Sequence, residues 1–255
     1  MKILALLPEN AREVLERSLT GEQQLSRVGS SDSVAASLRD RRCDALVLDP
    51  GMLNAADFEQ VLSALRKSHV PMLIYTTLSG DSAKRIVEAV DGSAHELVLR
   101  GSDDMPEVLQ RHIMALTAPS APAMLLSKAA AHFRTFPPKL QTVSVSLFAR
   151  PLLPRWVGGV VKESGLARRT VDRWMHNGGI SGPGRLLDAA RLARVWEPLV
   201  ERGMSVEQVA QRYGYERLRL FTAHARRLTG VGPLEFADNF TRITFSKRLG
   251  DALTE

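Results

Sequence analysis

The stretch SVEQVAQRYGYERLRLFTAHARRLTGVGPLEF, from Ser205 to Phe236, has the clearest structural pattern in the chain. Ser205 and Gln208 have the spacing of a capping box, which predicts the start of a helix at this point. Apolar residues then recur at helical spacing as far as Tyr213, and Gly214 can adopt the positive φ of a sharp turn. The pattern therefore predicts a short helix, a glycine turn and a second helix.

The second of these helices is predicted to have one apolar and one basic face. Phe221, Ala225 and Leu228 recur at the spacing of an inner face that packs against the preceding helix. The outward-facing polar and basic candidates are Arg217, Arg219, Thr222 and Arg226. Two short helices with a basic outer stripe are typical of a helix-turn-helix unit that places its second helix in the major groove of DNA.

An earlier segment repeats the pattern. Residues 156–161 predict one helix, 164–166 a turn and 167–176 a second helix. The outward-facing candidates of this second helix are Arg168, Arg169, Arg173 and His176. The tryptophans fall on apolar stripes, so we expect core positions for Trp156, Trp174 and Trp196.

A further helix is predicted between the two pairs. It covers residues 184–196, with Pro183 at its start, and spans about 20 Å at 1.5 Å per residue. Pro198 is expected to kink or restart the chain after it. The segment 143–148 begins the second half of the chain with an alternating pattern that fits either a helix or a strand.

Paired helix-turn-helix units joined by a helix resemble the DNA-binding domain of AraC-family regulators, over roughly residues 154–236. The most specific match is TGVGPLEF, in which Gly230 and Pro233 resemble the family's G-x-x-P signature. GGISGPGRLL, residues 178–187, resembles the start of that family's linker helix. The resemblance implies that two recognition helices enter successive major-groove faces of one DNA site.

The first half of the chain predicts a different architecture. Five short apolar, β-branched runs occur at residues 3–7, 24–28, 45–48, 72–76 and 96–99. Segments with helical spacing separate these runs. Apolar strands that alternate with amphipathic helices indicate a parallel sheet covered on both faces. We therefore expect an α/β domain with a flavodoxin-like (βα)5 fold, followed by an all-α domain with two helix-turn-helix units.

This half resembles the receiver domain of bacterial response regulators, through DALVLDPGM, PMLIYTT and the segment 92–100. The resemblance places Asp49 at the phosphoacceptor position, Thr76 at the switch hydroxyl, and Arg100 at or beside the position of the family's lysine. Leu7 and Pro8, however, stand where receivers carry two Mg²⁺-binding carboxylates, and their side chains supply no ligand. We therefore expect a degenerate receiver that works without phosphorylation, with a phosphorylatable response regulator as the alternative.

Charge divides the chain in the same way. Residues 1–117 hold 13 Lys and Arg against 17 Asp and Glu, a net charge of −4, whereas residues 118–255 hold 21 against 11, a net charge of +10. Most of the later basic residues are arginines, which suit forked contacts to phosphate and guanine. The expected organisation is a receiver-like domain over 1–117, a linker with a helix over 118–137, and a double helix-turn-helix domain over 138–255.

The pattern excludes several function classes. The turn after the first strand, LLPENA, has no glycine for a nucleotide-binding loop, and Cys43 is the single cysteine. We expect no enzyme activity, no cofactor, no metal and no membrane partner, and a cytoplasmic location.

The expected partner is double-stranded DNA. Homodimerisation through the receiver-like domain or the linker helix, and contact with RNA polymerase, are further expectations. The alternative is an adaptor whose helical half binds a protein.

Overall fold

The computed structural model describes residues 1–21, 23–91, 95–102, 104–117, 119–149 and 156–254. These residues divide into two compact units. Most of the first unit lies before Ser120 and most of the second from Ser120 onward, but Val90 and Asp91 belong to the second unit and Ala149 belongs to the first. Sequence features that fall on Gly92, Asp103, Ala118 and Pro154 lie outside the described residues. The domain limits expected from the sequence stay a prediction.

The first unit alternates strands and helices over its described residues. Its strands are β1 (Lys2–Leu6), β2 (Gln24–Arg27), β3 (Ala45–Leu48), β4 (Met72–Thr76) and β5 (Glu96–Leu99). Its helices are α1 (Glu9–Ser18), α2 (Ser31–Arg39), α3 (Ala55–Ser68), α4 (Gly80–Val90) and α5 (Pro106–Met114). All strand pairs are parallel, and the order is β2-β1-β3-β4-β5, which is compatible with a flavodoxin-like fold.

Burial explains why these strands were predictable. The residues of β3, β4 and β5 are all buried, as expected for strands covered by helices on both faces. The strand β2 lies at one edge of the sheet, paired with β1 alone, and differs in burial from β5 at the other edge. Three of its four residues are exposed, so its polar composition does not disturb the core.

The second unit is helical over its described residues. Its helices are α6 (Ala121–Phe133), α7 (Pro138–Ala149), α8 (Val157–Ser164), α9 (Arg168–Asn177), α10 (Pro183–Ala193), α11 (Val206–Arg212), α12 (Leu218–Thr229), α13 (Pro233–Asn239) and α14 (Arg242–Asp251). A short π-helical segment, Glu197–Glu201, follows α10 and carries the predicted break at Pro198. The segment 143–148 is helical rather than a strand.

Two apolar groupings stabilise this unit. The helix α6 packs against α10 and α14, and Phe133 lies 5.5 Å from Phe136 and 6.2 Å from Phe148, measured between ring centroids. Trp196, Phe236 and Phe245 form an aromatic triad in which neighbouring ring centroids are 4.8 to 6.4 Å apart. These spacings are typical of packed aromatic pairs.

None of the described helices has the length and apolar character that a membrane crossing needs.

Candidate functional site

Two helix-turn-helix pairs form as the sequence predicts. In the second pair, the side chain of Ser205 accepts from the Gln208 amide at 3.2 Å, and the Ser205 amide donates to the Gln208 side chain at 3.0 Å, which completes the capping box before α11. Gly214 has a φ of +74° in the turn before α12. In the first pair, Gly165 has a φ of +63° between α8 and α9. Both turns use a conformation that favours glycine.

The helix α12 presents a basic face. Phe221, Ala225 and Leu228 are buried, as predicted for the inner side. Arg219 and Arg226 are exposed, and among the described residues neither forms a side-chain hydrogen bond or ion pair. Their guanidinium groups are therefore available to an external polyanion.

Two further candidates flank this face. Arg217 occupies the N-cap position of α12 and is exposed. Thr222 is half-buried, because it lies close to the inner side of the helix. Arg217 is thus the more accessible of the two to a ligand that approaches the start of the helix.

The helix α9 also presents an exposed basic face. Arg169, Arg173 and His176 are exposed and have no side-chain partner among the described residues. Arg168 is also exposed, but its Nε lies 2.9 Å from a carboxylate oxygen of Asp172, one turn along the helix. An external anion must compete with this ion pair for Arg168.

The connecting helix α10 holds α12 through a polar cluster. Asp188 forms an ion pair with Arg227, and its other oxygen lies 3.6 Å from Nδ1 of His224. Burial lowers the pKa of His224, which the charge of Asp188 opposes. Arg191 lies over the ring of Tyr215, with 5.3 Å between the guanidinium carbon and the ring centroid. These contacts were not predicted, because Asp188 and Arg227 are 39 residues apart in the sequence.

Gly178, which follows α9, packs closely against the end of α6 and the residues after it. His132 Nδ1 donates to the carbonyl oxygen of Gly178 at 2.7 Å. A Cβ atom at position 178 would lie 2.6 Å from the ring of Phe136 and 2.9 Å from the carbonyl oxygen of His132. Glycine is therefore required here for packing, and the GGISGPG segment is the turn that the sequence predicted.

The prediction that all three tryptophans lie in the core was wrong for Trp156. Its side chain is 67% exposed, because α8 begins one residue later and Trp156 occupies the N-cap position outside the apolar stripe. Trp174 is half-buried, and Trp196 is buried in the aromatic triad.

In the first unit, the three phosphoacceptor-like residues meet at the carboxyl ends of the strands. Asp49 is 3% exposed and follows β3. Its Oδ1 accepts from the Thr76 hydroxyl at 2.6 Å and from the Gly51 amide at 2.9 Å, and its Oδ2 accepts from Arg100 at 2.6 Å. Both carboxylate oxygens are thus engaged by donors of the protein itself.

Directly after β1, the side chains of Leu7 and Pro8 supply no cation ligand near Asp49. Leu7 is buried, and Pro8 is the N-cap residue of α1. Nearby, the Tyr75 hydroxyl donates to Asp104 at 3.1 Å, and burial together with this carboxylate raises the pKa of Tyr75. Over the described residues, no group of three or more His, Cys, Asp and Glu side chains is arranged to hold a metal ion.

Comparison with known proteins assigns the helical region. Residues 160–239, from α8 to α13, match the family model of a helix-turn-helix domain of the AraC type. No curated protein and no solved structure matches the chain. The match includes both turn glycines, both outward-facing basic helices and the connecting helix. The second unit therefore contains a DNA-binding helix-turn-helix region of the kind that transcriptional regulators carry.

Proposed function

We propose that this protein is a sequence-specific transcriptional regulator whose helices α9 and α12 read two adjacent major-groove segments of one DNA site. The observation that supports this most strongly is that each helix presents two outward-facing arginines. These are Arg169 and Arg173 on α9, and Arg219 and Arg226 on α12. All four are exposed and without a protein partner among the described residues. Guanidinium groups in such positions suit phosphate oxygens and the acceptor pair of guanine. Because the proposed partner is double-stranded DNA, we also propose a cytoplasmic location for the protein.

The direct test is selection of bound duplexes from a random pool, followed by titration of alanine variants. We expect Arg173→Ala and Arg219→Ala each to weaken binding to the selected duplex by roughly five- to hundredfold, the loss of one contact to a base edge. Arg248→Ala is the matched control, since it removes the same charge from an exposed position on α14. We expect its binding to stay close to that of the unchanged protein.

Two outcomes contradict this proposal at different levels. An equal loss on selected and scrambled duplexes makes the substituted arginine a backbone contact rather than a base contact. A pool from which no motif is enriched removes the proposed function, and the adaptor alternative then takes its place.

We also propose that the first unit is a receiver-like regulatory or dimerisation domain that works without phosphorylation. Phosphoryl transfer to Asp49 needs a free carboxylate oxygen and a cation that neutralises the incoming group. Both oxygens of Asp49 accept hydrogen bonds, one of them from the cation Arg100. Leu7 and Pro8 add no oxygen ligand from their side chains at the end of β1.

Treatment with a small acyl-phosphate donor and Mg²⁺ tests this part of the proposal. We expect the intact mass of the protein to stay unchanged, because Asp49 is already paired. A gain of one phosphoryl group that disappears in Asp49→Asn contradicts the proposal and supports a phosphorylatable response regulator. A receiver known to accept phosphoryl groups from the same donor serves as the positive control.

Homodimerisation belongs to the same proposal, and we place it on the first unit rather than on α6. The apolar side chains of α6 are largely buried, and Lys128 and Ala131 are its exposed residues. This helix therefore has little apolar surface left for a second copy of the chain. Recruitment of RNA polymerase stays a further part of the proposal.

A further inference from the structure

The two outward-facing helices share one pattern of buried and exposed positions. Placing Val171 over Phe221, and Met175 over Ala225, aligns buried residues at both points. This alignment also places Arg169 over Arg219 and His176 over Arg226, all of which are exposed. A further exposed pair, in the middle of the two helices, is Arg173 over Ala223.

Helix geometry makes that pair the centre of each outer face. With about 100° of rotation per residue, Ala223 points almost directly away from the mean direction of the buried residues of α12. Arg173 has the same position on α9, opposite Val171 and Met175. A helix that enters a groove outer face first brings its central residue closest to the base edges.

The central residues of the two outer faces, Arg173 on α9 and Ala223 on α12, differ in chemistry. Arg173 has a forked cation that matches the O6 and N7 acceptors of guanine. Ala223 offers one methyl group and no hydrogen-bonding side-chain atom. Leu220, one turn earlier, is 43% exposed and lies on the same side, so this part of the α12 face is apolar between basic flanks. The apolar feature that the major groove presents is the 5-methyl group of thymine.

We infer that Ala223 is a specificity-determining residue that contacts the 5-methyl group of a thymine. The inference rests on the proposed function, because it requires α12 to lie in the major groove. Arg219 and Arg226 flank Ala223 at distances of four and three residues along the helix, where they are placed to contact bases or phosphates next to that thymine. The two helix-turn-helix units then require different base pairs, a guanine beneath α9 and a thymine beneath α12. The target site is accordingly asymmetric.

The test replaces thymine by uracil, one position at a time, in a duplex selected by the full-length protein. Uracil keeps the hydrogen-bonding edge of thymine and lacks the methyl group, so the change removes only the apolar contact. We expect one position in the α12 half-site to lose about fourfold in affinity, the effect of one buried methyl group. Ala223→Gly should abolish the difference between thymine and uracil at that position.

The control variants separate this effect from general damage. Ala131→Gly carries the same helix cost at an exposed position of α6 and should keep the fourfold difference. Arg173→Ala should weaken the guanine preference and keep the thymine preference. Ala223→Ser gives a second test that retains more helix propensity than glycine, and we expect it to change the preferred base.

The outcomes distinguish this inference from the proposed function. If a motif is enriched and no uracil position changes affinity, the proposed function stands and the role of Ala223 is overturned. The same conclusion follows if the uracil effect persists unchanged in Ala223→Gly. If no motif is enriched at all, both the inference and the function on which it rests fail.

Discussion

Raising the salt concentration from about 50 mM to about 200 mM is expected to weaken binding to the selected duplex by roughly three decades, if about six basic residues neutralise phosphates. The reason is the release of cations that are condensed on the DNA. Six exposed arginines lie on α9, on α12 or at the N-cap of α12, and each one that contacts phosphate contributes to this number: Arg168, Arg169, Arg173, Arg217, Arg219 and Arg226. Titrations at several salt concentrations should give a slope of about −5 for log affinity against log salt.

The net charge of the second half of the chain overstates the charge that DNA can use. Several of its arginines are committed to internal ion pairs, as Arg227 is to Asp188 and Arg242 is to Glu201. The slope therefore counts the arginines that contact phosphate rather than all the arginines of this half. Arg226→Ala should reduce its magnitude by about one if that residue contacts phosphate. Arg42→Ala, which removes an exposed arginine from the first unit, should leave the slope unchanged, and a slope near zero contradicts a polyanion partner.

The secondary-structure elements that could best be predicted from the sequence were those whose apolar residues form a clear run or recur at regular spacing. The strands β3, β4 and β5 have the predicted bounds, because each is a short apolar run between polar segments. The inner faces of α9 and α12 followed from helical spacing for the same reason. Helix α7 shows the limit of this approach. It is buried on several sides, so its sequence lacks the amphipathic period that separates a helix from a strand.

The candidate site was predictable in part. Which arginines face outward followed from the period of each helix, since an outer face needs only local spacing. The Asp188 cluster that holds α12 against α10 joins residues far apart in sequence, and no local pattern marks it. The exposed position of Trp156 depends on a helix start one residue later than expected. The central position of Ala223 could be predicted by aligning the two helices. An uncharged alanine, however, does not by itself indicate a contact with DNA.

The aromatic triad ties the stability of the second unit to its DNA-binding face. Phe236 is fully buried between Trp196 and Phe245, and it lies on α13, which follows α12 after the turn at Gly230. Replacing the ring by a methyl group removes apolar contacts and leaves a cavity beneath the second helix-turn-helix. We expect Phe236→Ala to lower the free energy of unfolding of the second unit by about 3 to 5 kcal/mol. Binding to the selected duplex should fall with it.

Hydrogen exchange of backbone amides is the appropriate measurement, because a chain with two compact units need not unfold in one transition. Phe236→Ala should accelerate exchange in α12, α13 and α14 and leave the strands β1 to β5 protected as before. Leu234→Ala is the matched control, since Leu234 lies on the same helix and is 66% exposed. Its effect should stay within about 0.5 kcal/mol. Unchanged exchange in Phe236→Ala would contradict this prediction and would mean that α12 is held mainly by Asp188 and its partners. In that case Asp188→Ala should weaken DNA binding more than Phe236→Ala does.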